Sequence, residues 1–145
     1  MATADTQKVI SILNEGVSNE LGAIIQYLWH HYMAEGMASP AIIELFEKVS
    51  RDEMKHLEQF AERVVALGGE PTTRMRPIRK GGDLARMVLD DLELEYEARE
   101  LYLRHIPLLA QARDSTSRLL IEKALADEEG HIRTFETLLS RIKKP

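Results

Sequence analysis

Apolar residues recur at helical spacing in four blocks along this chain. The first block, from about Thr6 to Glu35, carries Ile10, Leu13, Val17, Ile24 and Leu28 on one face. The second, Pro40 to Leu67, carries Ile42, Phe46, Val49, Phe60, Val64 and Leu67. The third opens behind Asp83 with Leu84, Val88, Leu92, Ala98, Tyr102 and Ile106, and the fourth, from about Ser115, with Ile121, Ala124, Leu125, Ile132, Phe135, Leu138 and Ile142. The breaks carry helix punctuation. Gly36 is a stop, Ser39-Pro40 reads as an N-cap followed by proline at the first helical position, Gly68-Gly69 is a C-terminal stop, and Asp83 is an N-cap. Pro107 predicts a kink or an end near the far end of the third helix. The pattern predicts an all-α four-helix bundle in one domain over residues 1–145, with no substantial fifth helix.

The stretch between the second and third blocks, Glu70 to Gly82, holds Pro71, Pro77, Gly81 and Gly82 with the basic residues Arg74, Arg76, Arg79 and Lys80. It reads as a linker, and its length matters. A helix of about 28 residues measures roughly 42 Å. The chain from Gly68 to Gly82 spans roughly 50 Å when extended. The linker can therefore cross from one end of a bundle to the other and join two helical hairpins.

Polar residues interrupt the apolar faces at places that repeat. Asp52-Glu53-Met54-Lys55-His56-Leu57-Glu58-Gln59-Phe60 matches Asp127-Glu128-Glu129-Gly130-His131-Ile132-Arg133-Thr134-Phe135 as Asp-Glu-x-x-His-apolar-x-x-Phe. The same offset relates Glu20 to Glu95, Tyr27 to Tyr102 and His30 to His105. Residues three apart on a helix share a face, so Glu53 points with His56 and Glu128 with His131. Glu20 and Glu95 also sit on core-facing lines. Ionised groups facing a core need compensation, and four carboxylates packed together repel. One Glu from each of two helices, plus Glu-x-x-His from each of the other two, is the donor pattern of bundles that hold two iron or manganese ions. The alternative is a metal-free network of Glu–His hydrogen bonds.

Other residues near these lines have open readings. Tyr27 lies two turns on from Glu20 and either hydrogen-bonds a metal ligand, donates an electron or simply packs in the core; Tyr102 is its copy. His31 falls near the bundle end, while His30 and His105 fall off the stripe as structural residues. Asp52 and Asp127 read as solvated carboxylates, with support of a ligating histidine as the other reading.

Composition narrows the classes. The 145 residues are 44% hydrophobic and 30% charged, with no cysteine, which excludes disulfides and thiolate metal sites. No apolar run is long enough to span a bilayer, and the N-terminus lacks signal-peptide character, so the cytoplasm is the expected compartment. A net charge of −5 argues against nucleic acid as a partner and mildly for cations.

On Asn19-Glu20-Leu21, Gln26-Tyr27, Asp52-Glu53-Met54-Lys55-His56, Leu94-Glu95 and Asp127-Glu128-Glu129-Gly130-His131-Ile132, the chain resembles the ferritin-like superfamily, and within it bacterioferritin. The resemblance covers nearly the whole chain. It implies that Glu20, Glu53 and His56 serve one iron, that Glu95, Glu128 and His131 serve the other, and that Glu53 and Glu128 bridge. The implied activity is oxidation of Fe(II) by O₂ or H₂O₂, with iron storage or detoxification if a cage forms. The resemblance also places haem b on Met54, shared by two subunits across a twofold axis in a homodimer or larger homo-oligomer. Bacterioferritin has a short fifth helix that helps to close its cage, which this chain does not show after its fourth block. Other readings are a peroxidase similar to rubrerythrin or a manganese catalase on the same six ligands, or a non-enzymatic haem-binding interaction module.

Overall fold

The computed structural model describes residues 3–34 and 39–142. Helix α1 spans Ala4–Met33, α2 Pro40–Ala66, α3 Leu84–Gln111 and α4 Ser115–Ile142, and there is no strand among the described residues. Local chemistry sets the ends. The Asp83 side chain accepts from the Arg86 amide at the start of α3, and Ser39 precedes Pro40 at the start of α2. Gly68, at φ +85°, turns the chain out of α2 in a left-handed conformation that a Cβ would strain. Its amide and that of Gly69 close on the carbonyls of Val65 and Val64. The Gly36 stop lies outside the described residues.

Pro107 lies in the last turn and a half of α3, near the end it predicts: the helix runs on through it to Gln111. Proline removes one backbone donor and leaves the carbonyl four residues back without a partner. Pro107 and Leu103 both lie on the exposed side of the helix, where water can satisfy that carbonyl.

Helix α1 packs mainly on α2 and α3 on α4, giving two hairpins, with α1 against α3 and α2 against α4 between them. Contacts such as Gln26–Asp91 with Asn19–Tyr102 show that α1 and α3 run antiparallel. It follows that α2 and α3 run in the same direction, and the linker between them must travel the length of the bundle.

That linker is strapped to the α1–α3 face. Asn14 donates to the Glu70 carbonyl and accepts from the Thr72 amide, at 3.0 and 2.9 Å. The Arg76 amide reaches the Ser18 carbonyl, and the Arg76 guanidinium pairs with Asn19 and Glu97. The Arg79 amide donates to Gln26, its guanidinium pairs with Glu97, and Lys80 lies over the Trp29 ring. Arg76 crosses α1 at Gly22, where an added Cβ would stand 2.2 Å from Arg76 Cγ and 3.0 Å from its carbonyl oxygen. Glycine is needed there for close approach.

The core falls into two apolar clusters. One gathers Leu13, Val17, Phe60, Val64, Tyr102, Leu109 and Ile121. The other gathers Tyr27, Phe46, Val49, Val88, Leu94 and Phe135. A polar layer contributed by all four helices lies among them.

Candidate metal centre

Each helix delivers acidic side chains to that layer because the periodicity that buries its apolar stripe also buries them. Glu20, Glu53, Glu95 and Glu128 are fully buried, and His56 and His131 are 4% and 8% exposed. Two overlapping groups result. Glu20, Glu53, His56 and Glu128 can each present an atom within 4.8 Å of the others, and so can Glu53, Glu95, Glu128 and His131. Glu53 and Glu128 belong to both groups. All six residues singled out by the repeat therefore converge on one site.

Burying four acids in an apolar core costs several kcal/mol per ionised group unless something balances it. Protons do so here only in part. Burial, reinforced by the Glu53 charge, holds the Glu20 carboxyl well above its usual range, and burial with the charges of Glu53 and Glu95 does the same to Glu128. Burial would also raise Glu53, but its contacts with Glu20, His131 and His56 leave it well below the usual range. Burial would depress both imidazoles. The neighbouring acids outweigh it, and carry His56 up to about 12 through Glu20 and Glu53, and His131 to about 11 through Glu53 and Glu95.

The atoms facing the centre have no hydrogen-bond partner. They are Oε2 of Glu20, Oε2 of Glu95, both oxygens of Glu53, both oxygens of Glu128, and Nδ1 of His56 and His131. The imidazole nitrogens approach the carboxylates at 3.2 to 3.8 Å. Buried polar atoms are normally paired, and once the imidazoles lose their inward protons this cluster presents only acceptors, which cations can pair. Carboxylate oxygen and imidazole nitrogen are the donors that suit iron and manganese. The residues fit a pair of such ions.

The surrounding residues orient these groups. His56 Nε2 meets Asp127 Oδ2 at 2.8 Å, and His131 Nε2 meets Asp52 Oδ2 at 3.1 Å. Each aspartate thus backs the histidine of the other Glu-x-x-His string and turns its Nδ1 inward. This favours the histidine-support reading of both aspartates, although Asp127 remains exposed to solvent: α2 and α4 are antiparallel neighbours, a relation that no spacing within one helix reveals. Tyr27 donates to Glu95 Oε1 and Tyr102 to Glu20 Oε1. Burial, then the charge of the adjacent glutamate, pushes both hydroxyls well above their usual pKa, so they remain donors.

His30 and His105 are not off the core-facing side. His30 is fully buried, with Nδ1 on Asp91 at 2.9 Å and Nε2 on the Arg79 carbonyl at 3.0 Å. His105 is 2% exposed and meets Glu15. They face the neighbouring helix of the α1–α3 pair, beside the apolar stripe. His31 binds the Ile43 carbonyl near the start of α2. Two buried polar residues of this network, Gln26 and Asp91, carried no assigned role; the available signal was a polar side chain at a core-facing helical position.

The family profile for the ferritin-like domain matches residues 10–144. Bacterioferritin of Mycobacterium leprae is 38% identical over 133 residues, which cover 91% of this chain and 84% of that protein. The chain belongs to the bacterioferritins of the ferritin-like family. Two solved bacterioferritins have the same fold. That of Desulfovibrio desulfuricans, whose diiron site was seen in different catalytic states, aligns with a TM-score of 0.92 at 31% identity, over 96% of this chain and 82% of that one. That of Rhodobacter capsulatus, with a metal-free dinuclear site and a haem iron, aligns at 0.91 with 30% identity, over 97% and 87%. Met54 points away from the polar layer and is 40% exposed.

Proposed function

We propose that this bacterioferritin is a ferroxidase that oxidises Fe(II) at the six-residue centre inside the four-helix bundle. The observation that carries the reading is the set of buried, unpaired donor atoms arranged as two groups that share Glu53 and Glu128. The D. desulfuricans relative has a diiron site, which favours iron over manganese at this centre.

The residues divide the work by the atoms they have free. Glu20 and Glu95 each commit one oxygen to a tyrosine and keep one for metal. These are end ligands. Glu53 and Glu128 keep both oxygens and can serve both positions. Nδ1 of His56 completes the Glu20 position, and Nδ1 of His131 the Glu95 position. Two Fe(II) give up one electron each, to O₂ or to H₂O₂, while the protons needed for reduction come from the surrounding groups and solvent. Carboxylates accommodate the rise in metal charge because they are hard anionic donors. The strapped linker closes the α1–α3 side of the site. The α2–α4 side has a mouth lined by Asp52, Asp127, His131, Lys48 and Lys55, and this is the side from which iron reaches the centre. Tyr27, beside Glu95, is placed to hold that ligand and to supply an electron.

Stopped-flow absorbance after mixing Fe(II) with aerated metal-free protein tests the assignment. Rapid oxidation of two Fe(II) per chain is expected for the wild type, and the uncatalysed rate for Glu53→Ala with Glu128→Ala. A double variant that keeps the wild-type rate would remove these residues from the site.

The outward face of α2 supports a second part of the proposal. Met54 is exposed there, and α1, which packs on α2, exposes Ile25, Tyr32 and Met33. This face pairs two copies, and a thioether from each copy is suited to bind haem iron between them. Iron storage follows if such dimers assemble further. Met54→Leu should abolish the haem absorbance gained on adding haem b, while native mass measurement still finds the dimer. Unchanged haem content would refute the axial role.

A further inference from the structure

The two halves of the centre are related by the sequence repeat, but one tyrosine has a partner that the other lacks. Asn19 occupies the position whose repeat copy is Leu94. It is 4% exposed, and its Nδ2 lies 3.2 Å from the Tyr102 hydroxyl. Its Oδ1 accepts from Nη1 of Arg76. Tyr102 in turn donates to Glu20. On the other side Tyr27 donates to Glu95 and stacks on Phe135 at 5.8 Å between ring centres, and its hydroxyl has no amide behind it among the described residues.

The order of this chain is fixed by chemistry. A guanidinium can only donate, so it must meet the oxygen of the Asn19 amide. That turns the amide NH₂ toward Tyr102. The tyrosine oxygen then accepts, and its own proton is directed to Glu20. Arg76 is itself held in place by Glu97 and by the notch at Gly22. We propose that Asn19 is a positioning residue: with Arg76 it aims the Tyr102 hydroxyl at Glu20, keeps one Glu20 oxygen for metal, and makes the Glu20 metal position tighter than the Glu95 position. The crossover linker thereby reaches the metal centre through four side chains. This inference rests on the six-residue centre set out above.

Metal-free protein titrated anaerobically with Co(II), followed by its visible d–d absorbance, reads the two positions without turnover. The wild type should bind two Co(II) in two distinguishable steps, and Glu20→Gln identifies the tighter one by removing it. Asn19→Leu places the repeat copy's own residue at this position. It should weaken that same step by roughly tenfold, leave the other step within about twofold, and so bring the two steps together. Adding Tyr102→Phe to Asn19→Leu should cause no further loss beyond that of Tyr102→Phe alone, because both act through one hydroxyl. Arg76→Met, which frees the amide to turn over, should weaken the same step and decides the matter if Asn19→Leu fails to fold. Equal weakening of both steps, or an unchanged isotherm in the variant that folds, overturns the inference and leaves the centre standing. A wild type that binds fewer than two Co(II) overturns the centre itself.

Discussion

At the scale of single residues, the centre is a competition between protons and cations for the same atoms. His56 and His131 have folded-state pKa values of about 12 and about 11 without metal, because burial, which would lower them, is outweighed by Glu20, Glu53 and Glu95. Both imidazoles are therefore charged near neutral pH, and each must lose its inward-facing proton before Nδ1 can bind a metal. Burial and the neighbouring acids also hold Glu20 and Glu128 toward the protonated form, against which a cation competes. The sign follows. The metal-free site binds more protons than the loaded site, so loading must strengthen as pH rises. Calorimetric Co(II) titrations in buffers of different ionisation enthalpy should show net proton release and tighter binding at pH 8 than at pH 6. Uptake of protons, or affinity independent of pH, would show that the protonated cluster is not the resting state.

At the scale of helices and the linker, legibility depended on whether information was local to one strand of sequence. The four helices were readable because burial repeats at fixed spacing, and of the predicted N-caps Asp83 makes its bond while Ser39 makes no side-chain cap bond. The convergence of the six buried Glu and His residues was readable for the same reason, as polar residues on apolar lines. Pro107 placed the end of α3 to within about one turn, and the helix continues through it to Gln111 where the carbonyl that it orphans lies on the exposed side. Asp52 and Asp127 were undervalued because their partners, His131 and His56, sit on another helix. The linker's length showed that it crosses the bundle, but not which face it covers. That choice is made by Asn14, Asn19, Gln26 and Gly22 on α1, which offer it hydrogen bonds and a groove. Their copies in α3 include Leu94 and Leu101, which can offer neither. The repeat is thus broken where the linker needs it broken.

At the scale of the whole molecule, the polar layer sets stability against function. Each helix gives up part of its apolar stripe to a buried acid, and burial holds two of these acids, Glu20 and Glu128, toward the neutral form in the folded state. A carboxyl raised by burial is protonated when folded but ionised when unfolded, so it lowers stability as pH climbs above about 4.5, the ordinary range of a glutamate, toward its folded value. Replacing Glu128 by glutamine keeps the shape and removes that penalty at neutral pH. Metal-free Glu128→Gln should therefore melt above metal-free wild type in calorimetry at pH 7. Cations reverse the ranking, since ions that bind only the folded chain stabilise it by about 2.7 kcal/mol at a free concentration one hundred times Kd, and the variant has lost one of the two residues that join both metal positions. With saturating Co(II), the wild type should show the larger rise in melting temperature and overtake Glu128→Gln. A wild type already the more stable without metal, or one that gains nothing from Co(II), would mean that these four buried acids are held by something other than the ions they face.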